Sequence, residues 1–216
     1  MPNGVGVWLP QVYSDAEKPR IKEFLKKAKE QGITKVLVNN VGQIYACRDL
    51  GFEVAADFGL NVFNSFTADV LRRAGVVETT LSFELNFSQI KEVVSEESAL
   101  TVYGKLPLMC VRNCIKKRHI PCAGNGHGKP YVMTDRTSRK FFVTCEYGCR
   151  NRIWNGDVLW LADREIPKCG YRRFIFADES EYPIFGTPEE TIGRYERGES
   201  APPERGFTRG LYFRKV

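Results

Sequence analysis

The pattern of apolar and polar positions changes about halfway along the chain. In the first half, short apolar runs at 5–9, 35–38, 53–56, 79–81 and 99–103 predict five strands. Apolar residues at helical spacing predict helices between them, over 19–31, 42–50, 67–74 and 87–93. A repeating strand–helix unit of about 20 to 25 residues is typical of parallel β/α sheets.

A complete (β/α)8 barrel needs roughly 200–250 residues, so this portion can supply about half of one. The sequence therefore predicts the α/β class, followed by a cysteine-rich region of hairpin and loop. The β/α portion is either a small open α/β sheet or a partial β/α barrel. Three segments are expected: a half-barrel at 1–110, a basic cysteine-rich region at 111–178, and a helix with an extended tail at 179–216.

In the second segment, a loop at 106–129 rich in Cys, Pro and Gly precedes two predicted strands at 131–135 and 141–144. The residues 136–139 between them predict a hairpin turn. A later strand is expected at 174–177, and a helix at 188–197 with acidic residues in its first turn.

Composition narrows the class of protein without naming a function. The chain has 216 residues, of which 43% are hydrophobic and 27% charged, which excludes a disordered or collagenous chain. No apolar run approaches the roughly 18 residues that a membrane-spanning helix needs. The first ten residues lack the pattern of a secretion signal, so a cytoplasmic location is expected.

Charge is concentrated in one segment. Between Arg112 and Arg152, ten basic and two acidic residues give +8, so the rest of the chain contributes −2 to the total of +6. A solvated basic face is the simpler interpretation of such a segment. Five of the seven cysteines lie within this segment or just before it, which favours a functional role.

Clustered cysteines in a reducing compartment more often bind metal or carry redox chemistry. The spacing Cys114-x7-Cys122, then Cys145-x3-Cys149, differs from that of zinc fingers. Four such thiolates can hold zinc or an iron–sulfur cluster, and the wide spacing suits a cluster. Ordinary buried thiols remain the alternative. Cys110 is the natural substitute should one of the four not be a ligand.

Side chains that follow the predicted strands are candidates for chemistry, because functional groups of β/α barrels lie at the carboxyl ends of strands. These positions are Asn39, Asn40, Asp57, Asn61, Asn64, Glu84 and 103–105. Asn61 and Asn64 could equally be turn residues. Glu84 is the best candidate for catalysis or for binding a substrate hydroxyl, and a helix N-terminal charge is its alternative. Fingerprints of known hydrolase and nucleotide sites are absent from the sequence.

Several motifs in combination resemble the collagenase-like peptidase U-32 family. They are DFGLNVFNS at 57–65, LSFEL at 81–85, YGKLPLM at 103–109, Arg112-Asn-Cys114, Thr134-Asp-Arg136, Cys145-x3-Cys149 and Asn155 before an apolar segment. Family members are larger and contain a β/α barrel. The resemblance therefore favours the C-terminal half of the family's barrel, whose first strands would come from a second chain or segment. Lys105 departs from the family, where an Arg is usual.

The resemblance implies two kinds of activity. The family name implies proteolysis, whereas other members use a four-cysteine iron–sulfur cluster to hydroxylate tRNA, ribosomal RNA or ubiquinone precursors. The matching cysteines are Cys114, Cys122, Cys145 and Cys149. We expect a 4Fe-4S cluster there, with zinc as the alternative cofactor, and RNA as the partner because phosphate neutralisation drives such binding. The expected phosphate contacts are Arg112, Lys116, Lys117, Arg118, Arg136 and Arg139.

Three functions thus follow from the sequence. The first is a role in RNA hydroxylation that depends on an iron–sulfur cluster. The second is a peptidase of unassigned catalytic type, and the third is a non-catalytic zinc-binding module for RNA or protein.

Overall fold

The structure, a computed structural model, describes residues 4–115, 117, 131–176, 186–201 and 206–214. These residues form two compact units. The first unit holds the described residues up to Thr101 together with Pro167–Arg172 and those from Leu211 onward. The second unit holds the described residues of Val102–Ile166 and Arg173–Gly210. The division into three segments at residues 110 and 178 stays a prediction.

Strands and helices alternate through the first unit. The elements are β1 (Gly6–Trp8), α1 (Lys18–Glu30), β2 (Lys35–Val38), α2 (Val41–Arg48), β3 (Glu53–Ala56), α3 (Ser65–Arg73), β4 (Val76–Thr80), α4 (Phe87–Val93) and the start of β5 (Ser98–Val111). The strands pair in sequence order and are all parallel. The predicted α/β class and the half-barrel portion are therefore confirmed.

Buried apolar side chains hold the sheet of the first unit against its helices. Val36 and Val54 are fully buried, and from the helices Leu25, Ile44 and Ile90 are buried with them. Burial of a side chain of this size contributes about 1.5–3 kcal/mol. This apolar layer between strands and helices follows from the periodicities of 2 and 3.6 in the sequence.

The start of β4 differs from its predicted start. The strand begins at Val76, three residues before the predicted position, because Glu78 interrupts the apolar pattern. In the fold the Glu78 side chain is 8% exposed, and Lys35 Nζ donates to its Oε2 at 2.7 Å. An ion pair thus lets a charged residue occupy a strand position that hydropathy alone assigns to a loop.

The second unit is built mainly on antiparallel strands, and its last strand pairs in parallel. Its elements are the rest of β5, β6 (Tyr131–Thr134), β7 (Lys140–Glu146), β8 (Arg150–Trp160), β9 (Tyr171–Ile175, begun in the first unit), α5 (Pro188–Glu196) and β10 (Phe207–Thr208). The order is β5-β8-β7-β6, with β9 paired to β5 and β10 paired to β8. The two strands predicted around residues 131–144 do pair as a hairpin. The loop before them lies largely outside the described residues.

β5 is much longer than the predicted 99–103. Gly104 and Pro107 are signals for the end of a strand, yet the chain continues through them with register shifts at both sides of Pro107. Gly104 has φ of +118°, and a Cβ there would lie 2.1 Å from Ile175 O. A glycine is therefore required where β9 approaches.

A buried tyrosine ties α5 to the antiparallel strands. Tyr195 Oη donates to Val102 O at 2.6 Å and accepts from Leu161 N at 2.8 Å. Its ring packs edge-on against Phe174, with centroids 4.8 Å apart, and Trp160 also lies against it. Burial raises the pKa of the Tyr195 phenol. The hydroxyl therefore stays protonated and fixes the helix to two backbone groups.

Candidate functional site

Three of the four candidate cysteine ligands lie at one end of the antiparallel sheet. Cys114 follows the end of β5, Cys145 is the next-to-last residue of β7, and Cys149 lies in the turn before β8. Because β8 runs antiparallel to both β5 and β7, the three cysteines lie at the same end of the strands. We call this end of the sheet, with Cys114, Cys145 and Cys149, the cysteine edge. All three thiols are partly exposed. Cys122 lies outside the described residues.

Asn151 links two of these cysteine segments. It is fully buried in β8, where it pairs with Val111 of β5 on one side and Cys145 of β7 on the other. Asn151 Oδ1 accepts from Ile115 N at 2.6 Å, directly after Cys114. Its Nδ2 donates to Cys145 Sγ at 3.4 Å. One side chain thus fixes the Cys114 segment and hydrogen-bonds the sulfur of a second candidate ligand.

The turn from β7 to β8 presents Cys149 in an unusual backbone conformation. Gly148 has φ of 69° and Cys149 has φ of 58°, both in the left-handed region. A non-glycine residue adopts this region rarely, and such positions cluster at functional sites and in tight turns. Arg150 Nη1 donates to Tyr147 O at 3.1 Å and thereby braces the turn.

Cys110 lies on the opposite face of the sheet from Cys145. It pairs with Arg152, the neighbour of Asn151 along β8, and successive side chains of a strand point to opposite faces. Arg152 is itself buried and forms a two-point ion pair with Glu146. Burial, followed by the Glu146 charge, raises the pKa of the Cys110 thiol. Cys110 is therefore not placed to substitute for a ligand on the Cys145 face.

The groups at the cysteine edge that could bind a metal ion or an iron–sulfur cluster are its thiols and the amide that hydrogen-bonds one of them. In the described part of the chain, no three Cys, His, Asp or Glu side chains are grouped closely enough to hold a single metal ion. The edge does offer three partly exposed thiols and one amide donor to sulfur. Amide hydrogen bonds to sulfur tune iron–sulfur centres. A cluster is wider than a single ion, and its predicted fourth ligand, Cys122, lies outside the described residues.

The predicted phosphate contacts fall into two groups. Arg112 and Lys117 are exposed near the cysteine edge. Arg136 and Arg139 are exposed in the turn between β6 and β7, about 20 Å from Cys145 at 3.4 Å per strand residue. Arg139 forms an ion pair with Asp157. Lys116 and Arg118 lie outside the described residues.

Polar side chains also meet at the carboxyl edge of the parallel strands in the first unit. Trp8 ends β1, and its Nε1 donates to Oδ2 of the buried Asp57 at 2.8 Å. Asn39 follows β2 and donates to Leu9 O at 3.1 Å. Asp57 and Asn39 were among the strand-end candidates. Trp8 was missed, because in the sequence it belongs to an apolar run.

Three other strand-end candidates, Asn61, Asn64 and Glu84, lie in turns or at the start of a helix. Asn61, with φ of 48°, ends a short turn, and Asn64 caps α3 by accepting from Thr67 N at 2.9 Å. Glu84 is exposed in the turn after β4, where its backbone N–H donates to Ser82 Oγ at 3.3 Å. Its carboxylate thus lies at the expected edge of the sheet, and its role stays a prediction.

Lys105, which stands where the family has an arginine, is buried in the second unit. Its Nζ lies 3.0 Å from the centroid of the Phe142 ring. An ammonium group over an aromatic face is stabilised by the negative face of the ring. The lysine therefore has a structural contact of its own in this chain.

Comparison with known proteins identifies the family. A family model described as Peptidase family U32 matches residues 3–126, more than half of the chain. No curated protein and no solved structure matches the chain. The matched range includes Cys114 and Cys122 and ends before Cys145. Across the described residues, each helix is too short or too polar to cross a membrane. The chain belongs to peptidase family U32.

Proposed function

We propose that this U32-family protein binds a 4Fe-4S cluster through Cys114, Cys122, Cys145 and Cys149 and takes part in the hydroxylation of tRNA or ribosomal RNA. The observation that carries the proposal is the pair of Asn151 hydrogen bonds at the cysteine edge. A buried amide that fixes one ligand segment and donates to the sulfur of another is the kind of support that metal-ligating residues require.

The chain's own residues would hold and orient the group. When bound, the cluster would supply one-electron redox chemistry. Asn151 would hold Cys145 and the backbone after Cys114 in place, and the left-handed turn would direct Cys149 toward the same edge. The Arg152–Glu146 ion pair lies on the other face of the sheet and would keep β7 and β8 in register.

The positive charge of the segment from Arg112 to Arg152 supports RNA as the substrate. The segment from Arg112 to Arg152 carries +8, and Arg112, Lys117 and Arg136 are exposed. Basic side chains bind the phosphate backbone by releasing its counterions, whatever the base sequence. The wide separation of the two basic groups along β7 favours an extended polyanion over a single phosphate.

The first experiment is anaerobic purification followed by quantification of iron, sulfide and zinc. About four iron and four sulfide per chain are expected in the wild type. Cys145→Ser with Cys149→Ser should lose both. Cys110→Ser is the matched control and should retain them, because that thiol lies on the opposite face. Zinc without iron would support the structural module, and a protein with neither metal would refute the cluster.

The second experiment measures RNA binding as a function of salt. A double variant, Arg112→Glu with Lys117→Glu, should weaken binding and reduce the slope of log K against log salt by about two. Lys26→Glu with Lys91→Glu makes the same charge change at exposed positions of the first unit and should leave the slope unchanged. Equal losses in both variants would refute a specific RNA surface. Purified protein that degrades gelatin and does not bind RNA would favour the peptidase.

A further inference from the structure

A cavity of about 370 Å³ lies between α1 and α2 in the first unit. Pockets that bind small molecules generally have volumes of about 300–1,000 Å³. Aliphatic side chains and one thiol form its floor: Leu9, Ile21, Leu25, Cys47 and Leu50. Burial raises the pKa of Cys47 to about 11, so this thiol is uncharged at neutral pH. The floor therefore suits an uncharged aliphatic group.

The rim of the cavity is polar and cationic. Lys18 and Lys22, one turn apart on α1, line it together with Tyr13 and Asp49. Lys18 pairs with Asp15 at 2.6 Å, and Asp49 pairs with Arg48 at 3.6 Å. Lys22 is exposed and forms no ion pair with any described residue. The uncompensated charge at this rim is therefore that of Lys22.

Tyr13 adds a hydrogen-bond donor to the same rim. Burial, followed by the neighbouring Cys47, raises the pKa of its phenol, so the hydroxyl remains protonated at neutral pH. Within the described part of the chain, the Tyr13 hydroxyl makes no hydrogen bond. An ammonium group and a phenol at one rim are suitable partners for the two oxygens of a carboxylate.

We propose that the α1–α2 cavity binds a small aliphatic monocarboxylate, with its chain on the floor and its carboxylate between Lys22 and Tyr13. One negative charge matches the rim, because Lys22 supplies its uncompensated positive charge. The aliphatic floor and the limited volume favour a single unbranched chain. This binding site belongs to the first unit and is independent of the cysteine edge.

The test is calorimetric titration of the full chain with octanoate, 1-octanol and octyl phosphate. Octanoate should bind at one site per chain, and the other two probes should bind at least about tenfold more weakly, since each mismatches the rim charge. Equal affinity for octanol would show that the rim charge contributes nothing. Equal affinity for octyl phosphate would overturn the assignment of a monocarboxylate.

Three variants locate the binding site. Ala46→Trp fills the cavity from an exposed position of α2 and should abolish binding. Lys22→Glu should weaken octanoate binding at least about tenfold. Lys26→Glu changes the same charge one turn further along α1, outside the cavity, and should bind like the wild type. Far-ultraviolet circular dichroism checks that each variant is folded.

Two results with the variants would overturn the proposal. One is octanoate binding that survives Ala46→Trp, which would place the ligand elsewhere. The other is an equal loss in Lys22→Glu and Lys26→Glu, which would reduce the effect to the general charge of α1. A folded wild type that shows no saturable octanoate binding would also refute it.

Discussion

Replacing Asn151 by alanine tests the central contact of the cysteine edge. The substitution removes the hydrogen bonds to Ile115 N and Cys145 Sγ and leaves a backbone N–H without its acceptor. A lost hydrogen bond costs about 1 kcal/mol, and an unsatisfied, partly buried N–H costs about 1–3 kcal/mol. The free energy of unfolding of the metal-free chain should therefore fall by about 2–3 kcal/mol.

The assay is urea denaturation followed by tryptophan fluorescence, since Trp154 and Trp160 lie on the same strand as Asn151. Asn155→Ala is the matched control: it makes the same change on β8, at a side chain with no hydrogen bond among the described residues. The control should cost less than about 1 kcal/mol. If both variants lose the same stability, Asn151 does not link the two segments as described.

Iron content separates a metal-supporting role from a purely structural one. Loss of a group that supports a metal ligand typically lowers metal affinity 10- to 100-fold. After anaerobic purification, Asn151→Ala should retain less iron than Asn155→Ala when both are compared well below their unfolding midpoints. Full iron retention in a destabilised Asn151→Ala would show that Asn151 is a structural residue and would refute its proposed role in supporting a cluster.

Three further predictions concern the stability of the second unit. Tyr195→Phe removes two buried hydrogen bonds and should lower the free energy of unfolding by about 2–3 kcal/mol in urea denaturation. Burial alone would raise the pKa of Asp163, but the hydrogen bonds and charge of Arg209 outweigh it and lower that pKa. The stabilisation from this ion pair should therefore be complete above a pH of about 4 and should be lost as the pH falls through the lowered pKa. In acid titrations, Arg209→Gln should make the free energy of unfolding less dependent on pH over this range. Gly104→Ala should lower the free energy of unfolding by more than about 2 kcal/mol in thermal unfolding. Gly198→Ala should lower it less, because a Cβ at Gly198 would lie 3.6 Å from its nearest neighbour, Ala162 O.

The sequence predicted the first unit well because its signals are local. Alternating strands and helices, with asparagine caps such as Asn64 and Asn86, follow from periodicity and from short-range hydrogen bonds. The failures occur where a distant partner decides the structure. Glu78 lies in a strand because Lys35 neutralises it, and β5 passes through Gly104 because β9 packs there.

The residue that supports the cysteines was not predicted from the sequence. Spacing within a basic segment and the family resemblance singled out Cys114, Cys122, Cys145 and Cys149, whose role as ligands stays a prediction. Nothing in the sequence marks Asn151, which lies between two arginines in a segment whose polarity is typical of a loop. Its burial depends on the pairing of β8 with both β5 and β7, and that pairing is a long-range property. The same pairing separates Cys110 from Cys145, which spacing could not do.

The opposite placement of Cys110 and Cys145 has a consequence for oxidation in air. The two thiols lie on strands that are separated by β8, and a distance of about 9–10 Å across two strand spacings exceeds the reach of a disulfide. Their side chains also point to different faces. A cross-link between Cys110 and Cys145, detected by mass spectrometry of aged protein, would therefore mark chains in which β8 had left the sheet before oxidation.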